Sequence, residues 1–155
     1  MNYWVPDPKP IGLDYNGRKA DHSISMAFLG RWSPRAFTGE AIPIETLLTL
    51  FEAARWAPSA FNAQPWRFVY ARRETQAFAP FLNFLSPYNQ SWAQTASALV
   101  VILSKPTFLP PGKSQPVVSA SASFDAGAAW ANLAIQAYKL GWAAHAMTGF
   151  DSEAA

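Results

Sequence analysis

The chain has 155 residues, half of them hydrophobic, which predicts a single domain with a buried core. Only 14% of the residues are charged, and the net charge of +2 comes without any run of like charge, which argues against a nucleic-acid-binding surface. The lack of cysteine excludes disulfides and thiolate chemistry, and two histidines are too few for an ordinary metal site, so we predict no metal.

The N-terminal segment 1–20 holds three prolines and two glycines without periodicity, and it predicts an extended arm before a domain over 21–155. Asp21 is the expected cap of a short helix over 22–30. A second helix is predicted over 43–55, because proline suits a first turn and the apolar residues share one broad face. The arm does not resemble a signal peptide, and no apolar stretch approaches the roughly 20 residues of a membrane span. We therefore expect a cytoplasmic protein.

Two apolar segments, 67–72 and 98–104, have the β-branched and aromatic content of strands and are predicted to share one sheet. The residues between them are assigned to a helix over 74–85, a loop over 86–91 and a short helix over 92–97.

The last third of the chain begins with a loop over 106–116, whose four prolines allow no assignment and which is a candidate cover for a site. A helix over 124–140 follows, and Gly141 is its expected stop. The helix is rich in alanine, which suits either a central helix or a dimer contact, with core packing as the simpler interpretation. Residues 142–147 are predicted to form a third strand.

The segment 57–66 reads Ala-Pro-Ser-Ala-Phe-Asn-Ala-Gln-Pro-Trp and lies between the second predicted helix and the first strand. Its prolines fix φ and lack an amide donor, so Pro58 should end the helix and Pro65 should hold its neighbour extended. Three short polar side chains lie between the prolines: Ser59, Asn62 and Gln64. On a stiff backbone they can present donors and acceptors to a planar heterocycle, although an ordinary turn has the same composition.

A second segment, Arg31-Trp-Ser-Pro-Arg-Ala-Phe37, makes the pattern more specific. Together the two segments resemble the opening signature of the FMN-dependent nitroreductase family, Arg-x-Ser-x-Arg/Lys-x-Phe, a helix, then Pro-Ser-x-x-Asn-x-Gln-Pro-Trp. Every fixed position is filled, and the resemblance runs from about Asp21 to the last residue. It implies an α+β fold with a central mixed β-sheet flanked by helices.

The resemblance also implies roles for the first segment. Arg31 and Ser33 correspond to contacts with the FMN phosphate and ribityl chain, and Trp32 lies between them in the same cofactor-binding signature. Arg35 corresponds to a cation near flavin N1 and the C2 carbonyl, where it would stabilise the reduced flavin. From the residues alone, an arginine pair on a surface turn is the alternative.

The segment 57–66, called the proline loop below, corresponds to a stretch that, in this family, lies against the flavin from the other subunit of a homodimer. Pro58, Ser59, Ala60 and Asn62 are therefore predicted to bind cofactor across a subunit interface, while Gln64 is expected to tie down the loop's own backbone. Aromatic residues make up 15% of the chain, which also favours an apolar partner surface.

Two further matches complete the predicted site. Asn89 corresponds to an asparagine that faces the flavin pyrimidine edge, with capping of the following helix as the alternative. Met147, Thr148 and Gly149 fall in a segment whose backbone amides approach flavin N5 and O4 in relatives. Gly149 permits such an approach, but glycine suits any tight turn. Three aromatic residues are candidates for a pocket, with ordinary packing as the alternative: Trp32, Phe61 and Trp92.

The activity that the resemblance implies is FMN-dependent oxidoreduction. NADH or NADPH reduces the flavin, and a nitroaromatic, quinone or similar conjugated acceptor then takes the electrons in a ping-pong scheme. The cofactor carries the hard chemistry, so no catalytic side chain is predicted. The competing hypothesis is a non-catalytic flavin-binding or dimeric interaction module. Family members continue past Asp151 with a further strand and a basic residue on the FMN phosphate, so we expect the domain to be C-terminally incomplete.

Overall fold

The computed structural model describes residues 17–154, so most of the predicted N-terminal arm lies outside the described residues. The described elements follow in chain order: α1 Met26–Gly30, α2 Ile44–Arg55, a 3₁₀ turn Ala60–Asn62, β1 Trp66–Arg72, α3 Phe78–Asn83, α4 Pro87–Ala93, β2 Ala98–Ser104, β3 Thr107–Phe108, β4 Val117–Val118 and α5 Ala122–Lys139. Helices and small sheets combine as expected, and the α+β class is confirmed.

The first helix is shorter than the sequence predicts. Helix α1 begins at Met26 because Ser25 supplies the cap, its Oγ accepting from the Ala27 amide at 3.3 Å. The prediction that Asp21 caps a helix from residue 22 is therefore wrong. Helix α2 agrees with its prediction to within a residue, and Pro43 occupies the position just before it.

Strands β1 and β2 are confirmed and pair antiparallel, with Trp66 opposite Ser104 and Arg72 opposite Ala98. The predicted third strand over 142–147 is wrong, because this segment has no strand partner in the described structure apart from the nearby bridge of Leu85 with Phe150. The chain instead turns back at the end of α5, where the Trp142 amide donates to the Ala137 carbonyl at 2.8 Å.

Between the two strands, the helices have other boundaries than the sequence predicts. The helix predicted over 74–85 is confined to α3, because Thr75 closes a turn through its amide and Oγ1 to the Arg72 carbonyl. The predicted loop over 86–91 and helix over 92–97 are both wrong, because Ser86 caps α4 and Pro87 stands in its first turn.

The loop over 106–116 contributes to a small hairpin, in which β3 pairs antiparallel with β4. Helix α5 starts two residues before its predicted beginning and ends, as expected, ahead of Gly141, whose φ of 85° is left-handed. The alanine-rich face of α5 packs on α2, so core packing accounts for its small side chains. None of the helices within residues 17–154 is long and apolar enough to cross a membrane.

Candidate functional site

An open cleft of about 370 Å³ brings together five of the twelve predicted cofactor-binding residues. Those five are Arg35, Asn89, Met147, Thr148 and Gly149, and the remaining lining comes from His145 and Ala146. They come from three separate parts of the sequence: the segment 31–37, called the arginine segment below, helix α4, and residues 145–149 after α5. The fold therefore assembles in one place residues that are more than 100 positions apart in the chain.

Helix α4 anchors the segment after α5. Asn89, in its first turn, is buried and donates from Nδ2 to the Gly149 carbonyl at 2.9 Å. The Ser86 amide donates to the same oxygen, also at 2.9 Å. Since Ser86 caps the helix, the capping role considered for Asn89 is wrong. Asn89 Oδ1 has no hydrogen-bond partner among the described residues, so an acceptor remains on the cleft wall.

The segment that Asn89 anchors presents free backbone donors. Within the described part of the chain, none of the amides of Met147, Thr148 and Gly149 donates a hydrogen bond. Met147 and Gly149 are half-buried, and Thr148 is exposed. Three successive unpaired N–H groups on a cleft wall suit a ligand with acceptor atoms along one edge.

The arginine segment adds positive charge. Arg31 Nη1 donates to Ser33 Oγ at 3.3 Å, so these two predicted phosphate contacts lie side by side. Neither the guanidinium group of Arg31 nor that of Arg35 forms an ion pair with a carboxylate among residues 17–154. Such groups are available to an anionic ligand. The donors and acceptors present therefore fit FMN, which combines a phosphate with a flat, polar-edged ring.

The proline loop is held apart from this cleft. None of Pro58, Ser59, Ala60 and Asn62 lines it. The Ala60 amide donates to Oδ2 of Asp125 at 3.2 Å, and this carboxylate, buried in the first turn of α5, also accepts from Ser121 Oγ. The loop is thus fixed to the start of α5, whereas much of the cleft is built from the chain after α5.

Inside the loop the backbone is strained. The expectation that Pro65 holds its neighbour extended is wrong, because Gln64 has a φ of 46°. Phe61 and Asn62 also have positive φ, at 55° and 52°. Side chains stabilise this shape: Ser59 Oγ accepts from the Gln64 amide, and the Gln64 side chain donates to Asn62 Oδ1, each at 3.0 Å. Gln64 therefore ties the loop internally, although its side chain bonds to a side chain and not to the backbone.

A second cavity, of about 820 Å³ and mostly apolar, shares His145, Ala146 and Met147 with the cleft. Arg31, Trp32 and Trp92 line this larger cavity. Phe61, the remaining candidate for an aromatic pocket, does not line it and stacks on Phe108 with ring centroids 5.4 Å apart. Two of the three aromatic candidates thus face a cavity next to the cleft.

Sequence reasoning missed two residues that shape the site. His145 Nδ1 lies 2.8 Å from the Pro34 carbonyl oxygen, and Asp125 holds the proline loop. Neither carries a local signal: His145 is a lone histidine in an apolar segment, and Asp125 is one acidic residue in the first turn of a helix. Their partners lie 111 and 65 positions away, so only the folded chain reveals them.

Known proteins resemble this chain in sequence and in fold. A family model described as the nitroreductase family matches residues 29–155. A solved structure described as an oxidoreductase containing FMN is 45% identical in sequence, and its TM-score is 0.85. The match covers 91% of this chain and 71% of that one.

Two curated relatives match over shorter stretches. A protein provisionally named NADH dehydrogenase/NAD(P)H nitroreductase, from Rhodopseudomonas palustris (strain TIE-1), is 28% identical over 82 residues, which are 53% of this chain and 41% of that protein. One provisionally named NAD(P)H nitroreductase YfhC, from Bacillus subtilis (strain 168), is 36% identical over 55 residues, or 35% of this chain and 28% of that protein. The matches thus span less than half the length of either relative.

Proposed function

Because the chain belongs to the nitroreductase family, we propose that it is an FMN-dependent oxidoreductase whose flavin binds in the cleft between Arg35, Asn89 and the segment 147–149. The observation that carries the proposal is the presence, in one cleft, of three unpaired backbone amides and an arginine without an ion-pair partner among the described residues. A solvated surface turn would not require a buried asparagine to hold that row in place. FMN supplies the hydride acceptance and electron transfer that this chain's side chains lack.

Different residues would bind different parts of FMN. Arg31 and Ser33 would hold the phosphate and ribityl chain, with Trp32 beside them, and Asn89 Oδ1 would accept from the pyrimidine edge. The amides of Met147, Thr148 and Gly149 would donate to the ring's polar edge. Arg35 would place a positive charge beside the same ring, which lowers the free energy of added negative charge and so favours reduction of the bound flavin.

The proline loop would complete the site from a second copy of the chain. The loop is held by its own side-chain hydrogen bonds, and its residues Phe61 and Asn62 are exposed and do not line the cleft of their own chain. Phe124, at the start of the helix that anchors the loop, is 82% exposed, as an apolar interface residue would be in the isolated subunit. These features support a homodimer with shared flavin sites, in which Pro58, Ser59, Ala60 and Asn62 contact the partner's flavin.

NADH or NADPH as donor, and a nitroaromatic, quinone or related conjugated compound as acceptor, complete the proposed reaction. The names of the two curated relatives support the nicotinamide donor and the nitro acceptor. The large apolar cavity next to the cleft would suit an aromatic acceptor. The cytoplasmic location stays a prediction.

An anaerobic absorption titration tests the proposal. The purified chain is titrated with FMN, and NADH or NADPH is then added. We expect perturbed flavin bands on binding and bleaching of those bands by the nicotinamide. Bound flavin that no nicotinamide bleaches would favour the non-catalytic carrier. A folded chain that leaves the FMN spectrum unchanged would contradict the flavin site itself.

A further inference from the structure

His145 connects three parts of the cleft. Its Nδ1 lies 2.8 Å from the Pro34 carbonyl oxygen, and its ring stacks on Trp92 of α4 with centroids 4.6 Å apart and planes 29° from parallel. A carbonyl oxygen only accepts hydrogen bonds, so Nδ1 carries a proton and donates. Since His145 precedes Met147 by two residues, one side chain joins the arginine segment, α4 and the row of free amides.

Helix α4 holds both ends of that row. Asn89 and Trp92 are three residues apart and therefore lie on one side of the helix. The Asn89 side chain donates a hydrogen bond to the Gly149 carbonyl, and the Trp92 ring stacks on the ring of His145. Phe37 also packs near Trp92, with ring centroids 6.2 Å apart and ring planes tilted by 35°. The segment 145–149 is thus anchored to α4 at its beginning and at its end.

A single hydrogen bond joins the described segments 31–35 and 145–149. Among residues 17–154, the bond from His145 to Pro34 is the one hydrogen bond between segments 31–35 and 145–149. Pro34 is buried, and Arg35 next to it is exposed at the cleft. Fixing the Pro34 carbonyl fixes the peptide plane that leads into Arg35. This bond therefore constrains where the backbone of Arg35 lies relative to the segment 145–149.

We propose that His145 is a positioning residue of the flavin site, which sets the spacing between Arg35 and the amides of 147–149 by donating from Nδ1 to the Pro34 carbonyl. The ligand in this statement rests on the proposed function, whereas the effect on the arginine segment can be measured without any ligand. Two substitutions of His145 distinguish the effect of the hydrogen-bond donor from the effect of the stacked ring. Asparagine carries its amide nitrogen on Cγ, as histidine carries Nδ1, so His145→Asn keeps a donor in place. His145→Phe keeps a ring to stack and removes the donor.

Limited trypsin digestion without flavin provides the first test. Trypsin cleaves after Arg35, and cleavage after Lys113, in an exposed loop elsewhere, serves as the internal reference. We expect His145→Phe to raise the ratio of cleavage at Arg35 to cleavage at Lys113 several-fold, and His145→Asn to leave it near the parent value. An unchanged ratio in His145→Phe would overturn the proposal. Equal increases in both variants would also overturn it, because the donor would then not be the cause.

The second test measures FMN affinity in the same variants. Loss of one hydrogen bond that orients the site should raise the Kd of His145→Phe roughly five- to tenfold, while His145→Asn stays within about twofold of the parent. If His145→Phe does not fold, His145→Gln replaces it, because its amide lies one carbon farther out and misses Pro34. Equal affinities in the Asn and Gln variants would then overturn the proposal. A parent chain that binds no FMN would contradict the proposed function and leave the digestion to decide the role of His145.

Discussion

The side-chain amide of Asn89 donates to the carbonyl oxygen of Gly149 at 2.9 Å, and a methyl group on Gly149 would lie 2.6 Å from that same nitrogen. The same methyl group would lie 3.2 Å from Ser86 Oγ. Gly149 is therefore required by a close approach between protein groups, whether or not a ligand also approaches it. This contact holds the segment that carries the free amides against α4.

Gly149→Ala should consequently destabilise the protein. Because the added methyl overlaps Asn89, we expect a loss of about 1–3 kcal/mol in the free energy of unfolding, measured in urea. Gly127→Ala is the matched control: Gly127 lies within α5, and nothing approaches the added methyl within 4 Å. There we expect a gain of about 0.5–1 kcal/mol. An unchanged free energy of unfolding in Gly149→Ala would contradict the close approach. The close approach would also be contradicted if the free-energy changes of Asn89→Ala and Gly149→Ala simply added in the double variant.

Arg35→Ala should weaken FMN binding without weakening the fold. The side chain is exposed and has no ion-pair partner in the described structure, so its removal leaves no buried group unsatisfied. A charge-assisted hydrogen bond to a ligand contributes about 1.5–3 kcal/mol, which is roughly a ten- to hundredfold rise in Kd. Flavin fluorescence titration measures the change. Lys113→Ala, which removes an exposed cation that lines neither the cleft nor the larger cavity, should leave the Kd unchanged. Equal affinity in the parent and Arg35→Ala would remove Arg35 from the site.

Asp125 should determine the stability of the proline loop. Asp125→Ala leaves the Ala60 amide and the Ser121 hydroxyl without their buried acceptor, so we expect a loss of about 1–3 kcal/mol in the free energy of unfolding. Asp125→Asn retains one acceptor oxygen and should lose less. Chymotrypsin cleavage after Phe61, which is 74% exposed in the loop, should accelerate in Asp125→Ala. If the alanine variant matched the parent in both measurements, the loop would not depend on this carboxylate.

Outside the site, Glu52 offers a pH-dependent prediction. The Trp56 indole N–H donates to Glu52 at 2.9 Å, and this bond, assisted by Arg55, lowers the pKa of that carboxyl. A depressed pKa in the folded state means that the contribution to stability is present above the unfolded pKa and is lost as the pH falls through the folded pKa. Trp56→Phe should therefore raise the pKa of Glu52, as followed by NMR of the side-chain carboxyl carbon. The pKa of Glu74, which is lowered chiefly by its own backbone N–H, should stay the same in this variant and serves as the control.

The elements that the sequence predicted well are those whose signals are local. Strand β2 is a continuous apolar run, and α5 combines a long helical pattern with a glycine stop. The start of α4 also carries a local signal, Ser86 followed by Pro87, which the prediction of a loop over 86–91 overlooks. The residues of the candidate site are predicted by resemblance, residue by residue, and the cleft contains five of these twelve.

What the sequence did not predict depends on distant partners. Residues 142–147 have the composition of a strand, but the turn after α5 directs them along the core and the cleft. Gln64 precedes a proline, which ordinarily favours extended backbone, yet the bond from its amide to Ser59 Oγ accompanies a left-handed φ. In each case a specific tertiary or side-chain contact outweighs a local preference.

Shared flavin sites lead to a test with mixed dimers. Ala60→Arg adds bulk at an exposed position of the proline loop, and Arg35→Ala removes the cation from the cleft, so each homodimer should bind FMN poorly. If each site takes its cleft from one chain and its proline loop from the other, a mixed dimer carries one site with both defects and one with neither. Unfolding and refolding the two variants together should therefore restore tight sites in roughly half of the positions of the mixed dimers, as measured by FMN titration. Refolding each variant alone is the control and should restore none. A mixture that binds no better than its components would place the cleft and the loop of each site on a single chain and so contradict the shared site.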